Sequence, residues 1–167
     1  MSRKTHESEL VMVPLWTRAR AEKATPYIAS MLRSLRDSLL TAKQHSFTAH
    51  RLATRPGRPN RAALIAHAEA LEESRLACDA VDDGEEELRA LGINCLDPIS
   101  GEALVPFATR ERFAWFIYDL FAEQPLQYWR YHTDPPETRR PIEEIQDDPD
   151  PGERPSEGNP SSTPGPL

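Results

Sequence analysis

The chain has only two cysteines in 167 residues, Cys78 and Cys95. So few cysteines, without a secretory leader, argue against a disulfide framework, and their spacing fits no zinc-ligand pattern. Reduced thiols in a cytosol are the expectation, and Cys78 is expected to be a small buried hydrophobe on a helix stripe. Long apolar runs are missing too. The longest, Phe113 to Tyr118, is far short of the ~20 residues that cross a bilayer. Leu10 to Trp16 is broken by Pro14 and preceded by Glu7 and Glu9, a poor secretory signal. There is no Gly-rich phosphate loop, no GxSxG elbow and no cysteine nucleophile in a credible local setting. These absences predict no catalytic residue, no metal and no cofactor, and a cytoplasmic protein without a membrane segment. Nothing in the chain argues for an enzyme, although catalytic groups that converge in space leave no local trace.

Acid is missing where it matters most. From Ser38 to Ala68 there is no Asp or Glu, while the span holds Lys43, Arg51, Arg55, Arg58 and Arg61 with His45, His50 and His67. The whole chain carries a formal net charge of −7, which argues against non-specific nucleic-acid binding by the molecule as a whole. The acid lies elsewhere. Asp134 to Leu167 holds nine carboxylates against three arginines, six of the seven net negative charges, and nine prolines. With almost nothing apolar past Ile145, residues 146–167 are expected to be a disordered tail.

What is present is helical periodicity on either side of a turn. Ala24, Ile28, Met31, Leu35, Leu39 and Ala42 recur at steps of three and four, one stripe of an α-helix. Thr17 is the candidate N-cap. Pro26, inside the pattern, is expected to bend the first turns, so that regular helix begins only near Thr25. Arg55-Pro-Gly-Arg-Pro59 breaks the chain, and Asn60 caps a second helix. Its expected stripe is Leu64, Ala68, Leu71, Cys78, Val81, Leu88 and Leu91, with Gly92 as its stop. Gly84 is a weak point, costing roughly 1 kcal/mol against Ala. A linker this short makes the helices antiparallel neighbours.

Beyond Ile93 the texture changes. Asp97-Pro-Ile-Ser-Gly101 is turn chemistry, and Ala103–Ala108, Phe113–Phe121 and Leu126–His132 read as three antiparallel strands. Pro106 consigns the first of these to an edge. Phe113, Phe116, Ile117, Leu120 and Phe121 also satisfy a helical period; aromatic density and flanking turns favour the strand. The expected fold is α+β: a polar leader and strap at 1–14, a long coiled-coil-like hairpin at 15–92, and a small three-stranded meander with its exit at 93–145 in the same domain. The central strand, apolar on both faces, calls for a second covering surface, either the strap or a second subunit.

Asp79, Asp83 and Gly84 fit part of a calcium loop, but Val81 and Ala90 stand where ligands are required. His45 and His50 are five apart, not the four that two ligands on one helix face need. The remaining candidate is an anion or ligand pocket around Trp129, Arg130, His132 and Arg139, where Tyr131 shares a face with Trp129 and Arg139 or Arg140 returns nearby. The bland alternative is an aromatic cluster with snorkelling arginines.

Four features resemble a known family: Thr17 with Ala24 to Pro26, the helix exit Glu87-Leu-Arg-Ala-Leu-Gly-Ile93, Trp129, and Arg139 with Pro141 and Ile142. Over Leu15 to Ile142 the chain resembles the small prokaryotic family catalogued as domain of unknown function number 2203. The resemblance implies a helical hairpin on a small sheet in a bacterial cytoplasmic protein, and it implies no activity. Where that family usually has His-Glu after the tryptophan and a Gly-rich turn before the arginine, this chain has Arg130, Tyr131 and Pro135. Three functional expectations follow: a non-enzymatic interaction or scaffold protein that binds itself or another protein; a basic tip that contacts RNA or another polyanion, with the acidic tail as a charge mimic; and a small-ligand or hydrolytic site near the third strand.

Overall fold

The computed structural model describes residues 12–110 and 112–145. The leader before Met12 and the acidic tail at 146–167 lie outside the described residues. Two antiparallel helices, α1 (Arg18–Ala53) and α2 (Arg61–Ala90), pack against a five-stranded antiparallel sheet. The strands are β1 (Asn94–Asp97), β2 (Glu102–Thr109), β3 (Arg112–Asp119), β4 (Leu126–Tyr131) and β5 (Arg140–Pro141), in that spatial order. Among the described residues, no helix is long and apolar enough to cross a membrane.

The caps are those the chain announces. The Thr17 side chain accepts from the Arg20 N–H at 3.2 Å, and the Asn60 side chain from the Ala63 N–H at 2.8 Å. Each satisfies one orphan donor of a first helical turn. Gly57 holds a positive φ of 95° inside the 54–60 turn. Gly92, at φ 75°, ends α2 in a Schellman arrangement. Its N–H donates to the Arg89 carbonyl, and the Ile93 N–H to that of Leu88, each at 2.9 Å.

Pro26 does not delay the helix. α1 runs unbroken for 36 residues, about 54 Å at ~1.5 Å per residue. Proline forfeits one ladder bond, but Ala21, Ile28 and Ala29 are buried on either side of it, and this packing holds the helix through the defect.

The hairpin seam also differs from expectation on α2. On α1 every seventh residue is buried: Ala21, Ile28, Leu35, Ala42 and Ala49. On α2 the inward residues are Ala63, His67, Ala70, Ser74, Ala77, Val81, Gly84 and Leu88, alternating steps of four and three. The stripe expected there is largely outside: Leu64, Ala68, Leu71 and Cys78 are all exposed. Small side chains win the seam because they let the two backbones approach. Ser74 Oγ donates to the Ala42 carbonyl at 3.2 Å, and a Cβ on Gly84 would stand 3.2 Å from Leu35 Cδ1.

The three expected strands are β2, β3 and β4; the sheet gains β1 and β5 at its margins. Residues 113–119 are strand, not helix. Val105 pairs with Phe116, and Phe116 with Trp129, on one face. That face meets the helices: Ile28, Leu32, Leu35, Phe107, Phe116 and Tyr118 belong to one buried cluster, and Tyr118 Oη donates to the Thr25 carbonyl at 3.2 Å. Phe107 and Phe116 stack with ring centroids 3.8 Å apart. On the opposite face Leu104, Pro106 and Ile117 are buried as well. Pro106 is tolerated inside the sheet because β1 reaches only as far as the Asn94–Leu104 pair. On that side of Pro106 its carbonyl accepts from the Trp16 N–H at 2.8 Å instead. Residues 12–16 form an extended strap without strand pairing, with Val13 and Pro14 against Gly92.

Candidate functional site

At the hairpin tip the C-terminal end of α1 meets the N-terminal end of α2. Arg51 lies in the last turn of α1, Arg61 opens α2, and Arg55 and Arg58 stand in the turn between them. All four side chains belong to exposed residues, and none forms an ion pair among the described residues. A cleft of about 440 Å³ opens there, lined by Leu52, Arg55, Arg58, Asn60, Leu64 and His67. Lys43 does not belong to this group. It lies eight residues down α1 from Arg51, about 12 Å at ~1.5 Å per residue, on the side of the β1–β2 turn. There the Asp97 carboxyl is held below its usual range first by the backbone N–H of Ile99, with the Lys43 charge contributing less. The tip is thus a four-arginine cluster.

The arm below the tip displays large apolar side chains. Leu64 is 56% exposed and Leu71 51%, with Ile65 and Leu76 on other faces of α2 and Leu40 and Phe47 on α1. Cys78 shares the stripe of Leu64 and Leu71 and is exposed. Its expected burial fails for the same reason as the stripe's: it stands one position past the seam residue Ala77. The exposed residues that sequence reasoning missed carry one signal, the heptad of small residues that claims the inner face and leaves the leucines outside.

The structure divides the cluster around β4. Trp129 is buried on the helix-facing side, its Nε1 donating to the Pro141 carbonyl at 3.0 Å. Its ring meets Tyr131 with centroids 4.9 Å apart, and the Arg140 guanidinium sits 5.6 Å from its centroid. Arg140 also binds Asp134 at 3.1 Å. That bond, with the Tyr131 N–H as a lesser donor, holds the Asp134 carboxyl below its usual range. Arg130 and His132 point to the other face. His132 Nδ1 accepts from Trp115 Nε1 at 3.2 Å, and Arg130 donates to the Asp134 carbonyl oxygen. Arg139 lies apart, paired with Glu102 at 3.0 Å and bonded to the Pro136 carbonyl at 2.7 Å. Trp129 and Tyr131 therefore come together with Arg140, while Arg130, His132 and Arg139 go elsewhere.

A second cleft, about 340 Å³, lies at the base between the strap, the end of α2 and β1, with Glu85, Arg89, Asn94, Cys95 and Trp115 in its lining. Burial pushes the Cys95 thiol up to about 11, with Glu85 and Asp97 adding to the rise. A thiol so protonated is a poor nucleophile at neutral pH. Among the described residues, no group of three or more His, Cys, Asp or Glu side chains is placed to hold a metal ion.

No family model, curated protein or solved structure matches the chain.

Proposed function

We propose that this protein is a non-enzymatic interaction or scaffold module that self-associates, with the helical arm as its contact surface. One observation carries the reading. The outer arm spends its small residues on the seam and turns Leu64, Leu71, Ile65, Leu76 and Phe47 toward solvent. Apolar groups spaced along a projecting rod are what a partner helix covers. The likeness to the prokaryotic family named above belongs to the same proposal and rests on the residues quoted for it. The test is the mass of the purified full chain by light scattering at tens of micromolar, beside a pull-down from a bacterial cytoplasm. A monomer without partners would end the proposal.

A second reading concerns the tip. Arg51, Arg55, Arg58 and Arg61 crowd the end of the arm without a carboxylate partner among the described residues, beside the positive end of the α2 dipole. That arrangement suits RNA or another polyanion, bound by charge and released by salt. Reversing the four arginines to glutamate should abolish a salt-dependent binding curve with a single-stranded RNA oligomer. A curve that does not change ends this reading.

A further inference from the structure

The self-association just proposed leaves open which copy surface meets which, and the charge layout of α2 answers it. We infer that two copies pack α2 against α2 in antiparallel fashion, about a two-fold axis at Leu71.

The stripe Leu64, Ala68, Leu71, Arg75, Cys78 and Asp82 recurs at steps of four, three, four, three and four, and so occupies one face of the helix. Leu64, Leu71 and Cys78 on it are exposed. Each end of this face is dominated by one sign, with Arg89 standing just past the acidic run at the base. Toward the tip stand Arg55, Arg58 and Arg61, with no acid between Ser38 and Ala68. Toward the base stand Asp79, Asp82, Asp83, Glu85, Glu86 and Glu87, with no cation from Asp79 through Leu88. The Asp79 carboxylate already binds Arg75 at 2.7 Å, and Glu87 accepts from Tyr27 Oη. Asp82, Asp83, Glu85 and Glu86 make no ion pair among the described residues.

A parallel pair would lay cation over cation and acid over acid. An antiparallel pair lays each tip on the other copy's acidic base, a self-complementary contact of the kind a two-fold axis requires. The register follows from the apolar residues. With Leu71 on the axis, Leu71 meets its own copy, and Leu64 of each chain meets Cys78 of the other, because 64 and 78 are equidistant from 71. Arg61 and Asp82 stand ten and eleven residues from Leu71 on opposite sides, about 15 Å each way at ~1.5 Å per residue. The same axis therefore sets Arg61 beside Asp82 of the second copy, and leaves Arg58 near Glu85 and Glu86.

The test uses the full chain and four variants. Light scattering and sedimentation should give a dimer at tens of micromolar that weakens as salt rises. Leu71→Glu sets two carboxylates across the axis and should give a monomer with the parent's helical signal and with a melting curve that, unlike the parent's, does not shift with protein concentration. Charge reversal at Arg58 and Arg61 together should weaken the dimer. Leu64→Cys should form a covalent dimer through Cys78 of the second copy when diamide takes up the two thiol hydrogens. The parent should not, because its two Cys78 thiols stand 14 residues apart, about 21 Å. Leu64→Cys with Cys78→Ser should lose the crosslink. A dimer that survives Leu71→Glu, or whose Leu64→Cys form crosslinks no better than the parent, overturns this inference and leaves self-association standing. A parent chain that is monomeric overturns both.

Discussion

Trp16 Nε1 donates a 3.0 Å hydrogen bond to the carbonyl of Leu91, joining the first residues before α1 to the last turn of α2 across 75 positions of sequence. The same residue donates its backbone N–H to Pro106 in β2, and the Arg20 guanidinium covers its ring at 4.2 Å. One 5%-exposed residue thus ties together both helices through its side chain and the sheet through its main chain. Trp16→Phe keeps a ring and removes the donor. It should cost about 1–2 kcal/mol in a denaturant titration, the net worth of a partly buried hydrogen bond with some lost packing. Trp16→Ala should cost about 3–5 kcal/mol.

The seam and the outer face of α2 should respond oppositely to size. Ala70→Leu or Ala77→Leu forces a branched side chain between helices close enough for Ser74 to bond the Ala42 carbonyl. Each should destabilise by about 1–3 kcal/mol. Leu76→Ala, at a half-exposed position, should change stability by no more than about 0.5–1 kcal/mol. Thermal melts of the three variants side by side check the contrast.

The two thiols should separate kinetically. Cys78 is exposed, whereas Cys95 is half-buried with its thiol pushed up to about 11 by burial. In the Leu71→Glu monomer an aromatic disulfide reagent at neutral pH should therefore consume one thiol rapidly and the second only on unfolding, whereas α2 pairing in the parent should slow the first. Cys78→Ser should remove the fast phase.

Acid should loosen the β4–β5 end. The folded Asp134 carboxyl lies below its ordinary value because Arg140 binds it, with the Tyr131 N–H assisting. A depressed carboxylate contributes fully above its unfolded value, about 3.9, and loses that contribution as pH falls through the folded value. Asp134→Asn should therefore be less stable than the parent at neutral pH. The gap should close progressively below about pH 4. Denaturation midpoints at several pH values measure it.

Local chemistry was legible from the sequence wherever one residue type does one job. Thr17, Asn60, Gly57 and Gly92 mark caps and stops, and the Phe113 run reads as a strand because turn residues bracket it. The seam of α2 was not legible by hydrophobicity, because two apolar stripes run one residue out of phase. The leucine stripe outranks the alanine stripe in burial energy per residue, but backbone approach favours the smaller one. β1 and β5 escaped because four and two residues are too few to show a period. β5 exists through its pairing with Tyr128 and Trp129. At the candidate sites, composition located the tip arginines but included Lys43. Strand alternation separated Trp129 from Arg130, and the pairing of Arg139 with Glu102 depends on a residue 37 positions away.

The alanine seam has a price in local rigidity. An alanine buries one methyl where a leucine would bury four carbons, and at ~25 cal/mol per Å² of apolar surface the difference is felt at every turn. The base of the arm has Leu32, Leu35 and Leu88 and the sheet behind it, whereas beyond Ala42 the inward residues are Ala49, Ala63, Ala66 and Ala70 with His45, Thr48, Leu52 and His67. Amide exchange should therefore be graded along the rod, fastest near the turn and slowest where Tyr118 meets Thr25. A clamp on the distal half would slow those amides most, so the arm would report its own occupancy in deuterium uptake.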